Sequence, residues 1–300
     1  MDMRVSRLWG SSMRTEIRLD EASNPVVIGD YTQIASIVKA GGVDRIIVAL
    51  DERRGKFPLE QLLSCRLKGI PVDDGIVFTE QLAGKLSVEN LHPSFLIFSD
   101  GFKSSEIFKA VKRSIDLLAS LVALTLFFPI CLLISLAIKL DSKGPIFYQQ
   151  ERVGEDERIF RLLKFRSMRV DAETGDPVWA SENDPRVTRV GRVIRKLRFD
   201  EIPQMINVLT GEMSFVGPRP ERPFFVKELE NEVPYYDQRH VIKPGITGWA
   251  QIMYRYGASK EDALQKLKYD LYYIKHMSVL LDLMIIFETV KTVLLGKGAR

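Results

Sequence analysis

The stretch Leu117–Ile138 constrains the fold of this 300-residue chain more than any other feature, because it contains no charged residue. At about 1.5 Å per residue, a helix of this length crosses a hydrocarbon core of about 30 Å. Pro129 lies in the middle, where it removes a backbone donor and breaks or kinks a helix. Two interpretations remain open: a re-entrant helix–break–helix hairpin over about residues 113–140, or a kinked transmembrane helix. The hairpin is suggested by basic residues at both ends, which are typical of cytoplasmic flanks: Lys109, Lys112, Arg113, Lys139 and Lys143.

The N-terminal third predicts an α/β unit. Residues 1–22 are polar, lack an apolar signal segment, and are expected to form a loose arm. Residues 23–100 alternate short apolar runs with helical spacing, which predicts a Rossmann-like module, in a form that could be incomplete. No GxGxxG motif is present, and Asp30 and the pair Asp51-Glu52 are expected to be helix caps or loop residues. The predicted strands are Val26–Ile28, Arg45–Leu50 and Ile70–Val72, and the predicted helices are Tyr31–Lys39, Pro58–Lys68 and Gly75–Ala83.

Residues 101–300 are predicted to form a membrane-associated α+β domain. Strand-like runs surround Gly154, and Val187–Leu197 has the spacing of a basic amphipathic helix. A second helix, Lys260–Tyr273, precedes Met277–Leu295, which carries too many charges to span a membrane. Its apolar residues predict an amphipathic helix that lies in the membrane interface.

Two adjacent carboxylates, Asp200 and Glu201, are the strongest candidates for chemistry. Several cations precede them, and Arg219 follows between Pro218 and Pro220, whose rings restrict the backbone that carries it. Such a set is typical of a site for a divalent metal, a phosphorylated substrate, or both. The alternative is structural: Asp200 would be a helix N-cap, and Glu201 an acid in the first helical turn that interacts with the helix dipole.

Composition excludes several classes of protein. With 27% charged and 46% hydrophobic residues, the chain is expected to fold, and its length allows two domains. A net charge of +4 is too small to indicate nucleic acid as a partner. Cys65 and Cys131 lie in different settings, so no disulfide is expected, and the three histidines show no zinc-site spacing.

Six sequence blocks occur in one order between Lys109 and Leu295: KRSIDLLASLVALTLFFPI, GPIFYQQERVG, FRLLKFRSM, RKLRFDEIPQMINVLTGEMSFVGPRP, KPGITGWAQ and DLYYIKHMSVLLDLMIIFETV. Together they resemble the bacterial sugar transferases, also called monotopic phosphoglycosyl transferases or undecaprenyl-phosphate sugar phosphotransferases. The N-terminal module, with its HPSFLIFSDGF junction, is most similar to long members associated with exosortase-linked exopolysaccharide loci. Those members usually carry transmembrane helices before this module. The topology before Met1 is therefore left open.

The resemblance implies a reaction. A hexose-1-phosphate would pass from a UDP-sugar to undecaprenyl phosphate, with release of UMP, through a covalent aspartyl-phosphosugar intermediate and with Mg²⁺ as cofactor. This reaction would be the first membrane step of exopolysaccharide or related glycan synthesis, and the resemblance places it at the cytoplasmic face of the bacterial inner membrane. Asp200 would be the nucleophile, and Glu201 the acid–base partner or, with Asp200, a Mg²⁺ ligand. The expected phosphate- or uridine-binding positions are Lys164, Arg195, Pro218, Arg219, Pro220 and Arg255.

One departure from the family pattern concerns the hairpin. The family usually has Ser-Pro at the break, and this chain has Phe128-Pro129, so the hydroxyl that can satisfy a freed carbonyl is missing. The competing function is a non-catalytic, membrane-anchored component that senses a nucleotide and scaffolds a polysaccharide assembly complex. A nicotinamide-dependent oxidoreductase is disfavoured because the glycine fingerprint is absent. The sugar, the ligand of the N-terminal module and the oligomeric state, with a homodimer as one candidate, are left open.

Overall fold

A computed structural model describes residues 6–9, 16–18, 29–49, 57–88, 101–102, 105–170, 184–254, 257 and 259–294. The chain divides into two compact units, Met1–Gly84 and Lys85–Arg300. The sequence placed this boundary near residue 100. Leu86 and Val88 instead pack in the core of the second unit, and the Leu86 amide donates to the carbonyl of Lys268 at 3.0 Å.

The first unit is a small sheet with three α-helices among its described residues. Its strands are β1 (Ser6–Trp9), β2 (Glu16–Arg18), β3 (Ile46–Val48) and β4 (Val72–Asp74), in the order β2-β1-β3-β4. Its helices are α1 (Ile34–Lys39), α2 (Leu59–Leu67) and α3 (Gly75–Ala83). The pairs β1–β3 and β3–β4 are parallel, and β1–β2 is antiparallel. The predicted alternation of strands and helices is therefore present, and a nucleotide-binding use of the unit stays a prediction.

Two expectations for the first unit need comment. Residues 1–22 were expected to be a loose arm, but they contain β1 and β2, and β1 pairs with β3. Strands this short carry too little periodicity to be recognised, and pairing with a longer sheet stabilises them. Asp30 does cap a helical turn, since its side chain accepts from the Thr32 amide. The predicted strand Val26–Ile28 and the pair Asp51-Glu52 lie outside the described residues.

The second unit is mostly helical, with two small sheets. Strands β5 (Phe147–Val153) and β6 (Ile159–Phe165) form an antiparallel hairpin. Strands β7 (Ser214–Val216) and β8 (Gly245–Thr247) pair in parallel. The helices are α4 (Glu106–Asp141), α5 (Arg189–Lys196), α6 (Gln204–Thr210), α7 (Pro223–Glu232), α8 (Trp249–Met253), α9 (Lys260–Lys275) and α10 (Val279–Leu294). The predicted strands around Gly154 and the basic helix before the acidic pair are confirmed.

Helix α4 contains the uncharged stretch. It is assigned as one helix of 36 residues with Pro129 inside it, so the predicted break into two helices is not confirmed. Within the described part of the chain, α4 alone is long and apolar enough to cross a membrane. One face packs on the unit through Ile134 and Ile138, against Phe165 and other apolar residues. Large apolar side chains of α4 remain exposed elsewhere along its length: Leu118, Leu121, Val122, Leu126, Phe128, Leu132, Leu133, Leu136 and Leu140.

Both ends of α4 are attached to the same unit. Near the N-terminal end, Arg113 donates to the carbonyls of Val208 and Leu209, and Asp116 accepts from the Phe215 amide at 3.0 Å. At the C-terminal end, Asp141 accepts from the Val190 amide at 3.1 Å. The side chains that anchor the helix thus tie its first turns and its last residue to a single folded body.

Helix α10 has two apolar faces. Leu281 and Ile285 are buried in the unit, whereas a stripe at helical spacing is exposed: Leu280, Leu283, Met284, Phe287 and Val290. An exposed stripe of this kind is typical of a helix at a membrane surface. The geometry therefore agrees with the amphipathic helix expected from the sequence.

Replacing Lys112 should test how α4 is held. Its ammonium group lies 2.6 Å from Asp282 Oδ2 and also donates to the Val216 carbonyl and the Tyr273 hydroxyl. Lys112→Met leaves a mostly buried carboxylate without its cation, which should lower the free energy of unfolding by about 3 kcal/mol. Urea unfolding in detergent micelles measures the loss.

The matched control is Lys109→Met, one turn earlier on α4, where the partner Glu106 is exposed. Exposed pairs contribute little to stability, so this control should leave the unfolding midpoint unchanged. Equal effects at the two positions would contradict a specific anchoring role for Lys112.

Candidate active site

The adjacent carboxylates lie in a short turn between α5 and α6. Arg198 precedes this turn with φ +58°, in the left-handed region, and Phe199–Glu201 forms one turn of 3₁₀ helix. The structural alternative is only partly correct. Asp200 is not a helix N-cap, because Arg198 occupies that position in the 3₁₀ turn and α6 is preceded by Pro203. Glu201 does lie in the first turn of the 3₁₀ helix, as that alternative expected. A non-glycine residue with positive φ is strained, and such residues are often found at functional sites.

Close packing fixes helix α5 and hence the start of this turn. A Cβ atom on Gly191 would collide with the backbone of Ser167, so only glycine allows the helix to approach so closely. Thr188 caps the helix by accepting from the Gly191 amide at 2.9 Å. Ile194 then enters the core against α4, which sets the direction in which the chain leaves α5.

Glu201 is surrounded by three cations from three parts of the chain. Its Oε1 atom lies 3.0 Å from Arg219 Nη2, 3.5 Å from Lys164 Nζ and 3.6 Å from Arg198 Nη1. Burial alone would raise the pKa of Glu201, but these cations outweigh it and hold the pKa well below its usual range. Glu201 is therefore ionised and paired at neutral pH.

Asp200 has a different environment, although it is the neighbouring residue. It is 8% exposed, and no cation lies within ion-pair distance of it among the described residues. Burial, reinforced by the negative charge of Glu201, raises its pKa to about 6, despite the opposing effect of Lys164 and Arg198. The pair thus consists of one carboxylate neutralised by direct contacts and one that is more basic and unpaired.

The segment Pro218–Arg219–Pro220 follows β7. Both prolines are buried, and the Arg219 guanidinium reaches Glu201. The attraction of Glu201 raises the pKa of Arg219 against the effect of burial, so the arginine stays charged. Arg219 therefore lies beside the acidic pair, and the role of Pro218, Arg219 and Pro220 in binding a phosphate or uridine ligand stays a prediction.

Three predicted ligand-binding positions remain: Lys164, Arg195 and Arg255. Lys164 lies on β6 beside Glu201, and burial lowers its pKa. Arg195, in the last turn of α5, acts on Asp200 at longer range by lowering its pKa. Arg255 lies outside the described residues.

Sequence reasoning missed two cations as site residues. Arg198 precedes Glu201 by three residues, and this spacing alone could have revealed the contact. Arg152 on β5 donates to the Pro220 carbonyl at 2.9 Å. The sequence around Arg152 gives no such signal, because Pro220, whose carbonyl it binds, is far away in sequence.

Comparison with known proteins adds an independent line of evidence. The sequence model described as Bacterial sugar transferase matches residues 107–296, which contain the carboxylate pair and all three cations around Glu201. The chain belongs to the bacterial sugar transferase family.

Relatives of this chain carry related names. A UDP-N-acetylgalactosamine-undecaprenyl-phosphate N-acetylgalactosaminephosphotransferase of Aeromonas hydrophila is 45% identical over 239 residues, 80% of this chain and 56% of that protein. An undecaprenyl-phosphate glucose phosphotransferase of Komagataeibacter xylinus is 40% identical over 280 residues, 90% of this chain and 52% of that protein. The exopolysaccharide production protein PSS of Rhizobium leguminosarum bv. phaseoli is 40% identical over 198 residues, 63% of this chain and 98% of that protein. The chain spans about half the length of the first two relatives.

The carboxylates of this site fit a Mg²⁺ ion only if a ligand supplies further oxygen donors. Among the described residues, no group of three or more histidine, cysteine, aspartate or glutamate side chains could enclose a metal. Mg²⁺ is commonly held by one or two carboxylates together with substrate phosphates. Asp200 has no ion-pair partner among the described residues, and the three cations around Glu201 each approach its Oε1 atom. The site therefore suits an ion shared with a phosphorylated ligand and not an all-protein cage.

A small pocket lies behind the segment Pro218–Arg219–Pro220. Its lining includes Arg219, Arg239 and His240. His240 is 7% exposed, and its Nδ1 atom has no hydrogen-bond partner among the residues that the structure describes. Burial, together with the nearby Arg239 charge, lowers the pKa of His240 to about 4. The folded protein therefore favours the neutral imidazole.

This shift predicts an acid-dependent loss of stability. His240 binds its proton near pH 6.5 when unfolded and near pH 4 when folded, so its contribution is complete above pH 6.5 and falls as the pH drops toward 4. Between pH 7.5 and pH 5.0 the loss should be about 2 kcal/mol. His240→Gln removes the titrating group, so its unfolding free energy should fall less over this interval than that of the wild type. Urea unfolding at the two pH values measures both proteins. If the free energy of unfolding fell by the same amount in the wild type and in His240→Gln, this assignment would be refuted.

Proposed function

We propose that the chain transfers a hexose-1-phosphate from a UDP-sugar to undecaprenyl phosphate, with release of UMP, and so starts an exopolysaccharide or related glycan. The observation that carries the proposal is the unequal pair: an unpaired, more basic Asp200 beside a Glu201 neutralised by three cations. The names of the relatives support the two substrates. The identity of the sugar is not part of the proposal, since these two relatives are named for different sugars.

Asp200 acts as the nucleophile in the first step. A carboxylate oxygen attacks the phosphorus that bears the sugar, a P–O bond to this phosphorus forms, and the bond to the bridging oxygen of the diphosphate breaks, so UMP leaves with that electron pair. A pKa of about 6 leaves Asp200 mainly ionised at neutral pH and more basic than an ordinary aspartate. Both properties favour attack.

The second step reverses these roles. A phosphate oxygen of undecaprenyl phosphate attacks the same phosphorus, and the Asp200 carboxylate leaves. The sugar then carries a diphosphate linked to the lipid, and Asp200 is regenerated. Because UMP has left before the lipid phosphate binds, a single phosphate-binding site can serve both halves of the reaction.

The cations supply the electrostatic part of catalysis. Phosphoryl transfer depends mainly on positioning and on neutralising charge at the phosphoryl oxygens. Arg219 and Lys164 lie within 3.5 Å of Glu201 and keep their positions through it. Asp200 and Glu201 would hold Mg²⁺ together with the donor diphosphate, and when bound the ion would offset the charge of the phosphates.

The membrane arrangement is part of the same proposal. A lipid acceptor and a water-soluble donor must meet at the boundary of the bilayer. Helix α4 exposes apolar side chains, yet both its ends are held by the unit that carries Asp200. We infer that α4 bends at Pro129 in the membrane, so that it enters and leaves one leaflet of the inner membrane. We also infer that the exposed stripe of α10 lies in the interface and that the site faces the cytoplasm.

Release of UMP without a lipid acceptor tests the first step. Purified protein, UDP-sugars tried one by one and Mg²⁺ should give a burst of UMP close to one per active site. Asp200→Asn should reduce this burst, and transfer to undecaprenyl phosphate, on the order of 10³-fold or more, because no acyl phosphate can form. Asp237→Asn, at an exposed aspartate, is the matched control and should retain activity.

Two further outcomes of this assay are informative. Removal of divalent ions with EDTA should abolish UMP release, and added Mg²⁺ should restore it. Substantial turnover by Asp200→Asn would refute the nucleophile assignment. No UMP from the wild type with any UDP-sugar would overturn the transferase proposal and favour the non-catalytic scaffold.

Membrane topology can be tested by cysteine labelling. In a background with Cys65→Ser and Cys131→Ser, single cysteines replace Lys109 and Lys143, which are exposed near the two ends of α4. A membrane-impermeant maleimide should label both positions in inverted membrane vesicles and neither in intact spheroplasts. Labelling from opposite faces would show that α4 spans the membrane.

A further inference from the structure

Four consecutive carbonyl groups after Gly217 are each held by a donor from another part of the chain. The Pro218 and Glu221 carbonyls accept from backbone amides, those of Gly245 and Val153, each at 2.9 Å. The two carbonyls between them accept from side chains. Arg239 Nη2 donates to the Arg219 carbonyl and Arg152 Nη1 to the Pro220 carbonyl, both at 2.9 Å.

This pattern follows from the sequence of the segment. Pro218 and Pro220 have no amide hydrogen. The backbone of these two residues can therefore accept hydrogen bonds through its carbonyls but cannot donate any. Proline fixes one backbone dihedral at each position but not the placement of the whole segment. The two guanidinium groups, together with the backbone amides of Gly245 and Val153, supply that placement from outside the segment.

Arg239 is itself held rigidly. Its guanidinium forms an ion pair with Asp270 of α9 at 2.9 Å, and both side chains are almost completely buried. It also donates to the Tyr236 hydroxyl. A buried ion pair contributes little net stability compared with apolar packing. The direction of the guanidinium is set by its hydrogen bonds to the Tyr236 hydroxyl and the Arg219 carbonyl, because a planar guanidinium donates in defined directions.

We propose that Arg239 is a positioning residue for the transferase reaction. By holding the Arg219 carbonyl, with Arg152 holding the next one, it directs the Arg219 guanidinium toward Glu201 and the donor diphosphate. The inference rests on the proposed function, since it assigns Arg239 an effect on UDP-sugar turnover. Arg239 acts through Arg219 and does not itself contact Asp200 or Glu201 in the described contacts.

A double-mutant cycle separates positioning from general stabilisation. Arg239→Lys keeps the charge but loses the forked donor geometry, and it should lower kcat/KM for UMP release about 10-fold or more. In an Arg219→Gln background the same substitution should cost less than about 2-fold, because the side chain that it positions is gone. A residue that only stabilised the fold would cost the same factor in both backgrounds, and that result would overturn the proposal.

Arg152→Lys provides a second route if Arg239→Lys does not fold. It removes the neighbouring anchor and should show the same dependence on Arg219. Arg158→Lys, at an exposed position in the same unit, is the matched control and should leave the kcat/KM of each background unchanged.

A measurement without turnover keeps this proposal distinct from the proposed function. Amide hydrogen exchange should be faster in peptides covering residues 217–222 in Arg239→Lys, whereas peptides covering 204–210 should be unchanged. If the wild type releases no UMP, the transferase proposal fails, and unchanged exchange at 217–222 would separately overturn the anchoring by Arg239.

Discussion

The contact of Glu201 with three cations is the interaction on which the site depends. A buried carboxylate is costly unless it is paired, so the elements that carry its partners must converge. Lys164 comes from β6, Arg198 from the turn after α5, and Arg219 from the loop after β7. This convergence brings together parts of the chain that are distant in sequence, and it leaves Asp200 as the carboxylate without a partner in the described contacts.

Two neighbouring carboxylates therefore acquire different properties from their surroundings. Direct ion pairs lower the pKa of Glu201, whereas burial raises that of Asp200. Pairs of acids whose pKa values are separated in this way are typical of sites that divide chemical roles between them. The proposed division, with Asp200 as nucleophile and Glu201 as an organiser of positive charge, follows from this difference.

The membrane helix and the site share one scaffold. Arg113 of α4 binds carbonyls at the end of α6, the helix that follows the acidic pair. Asp116 binds the backbone of β7, the strand that leads to Arg219. The apolar helix is thus attached to both elements that flank the site. This attachment gives a physical basis for placing phosphate chemistry next to a lipid acceptor.

The sequence by itself determined the local features: the apolar helix, the strands around Gly154, the basic helix α5, and the family to which the chain belongs. These depend on periodicity and on contiguous motifs, which act over a few residues. The loose arm was wrong because short strands gain stability only by pairing in a sheet. Only the tertiary structure decided that Asp200 is not a helix cap, that Glu201 is paired with Lys164, and that Arg152 and Arg239 anchor the backbone around Arg219. Apart from the cap position, these are contacts between residues far apart in sequence, and burial and charge pairing in the folded chain set their pKa values and orientation.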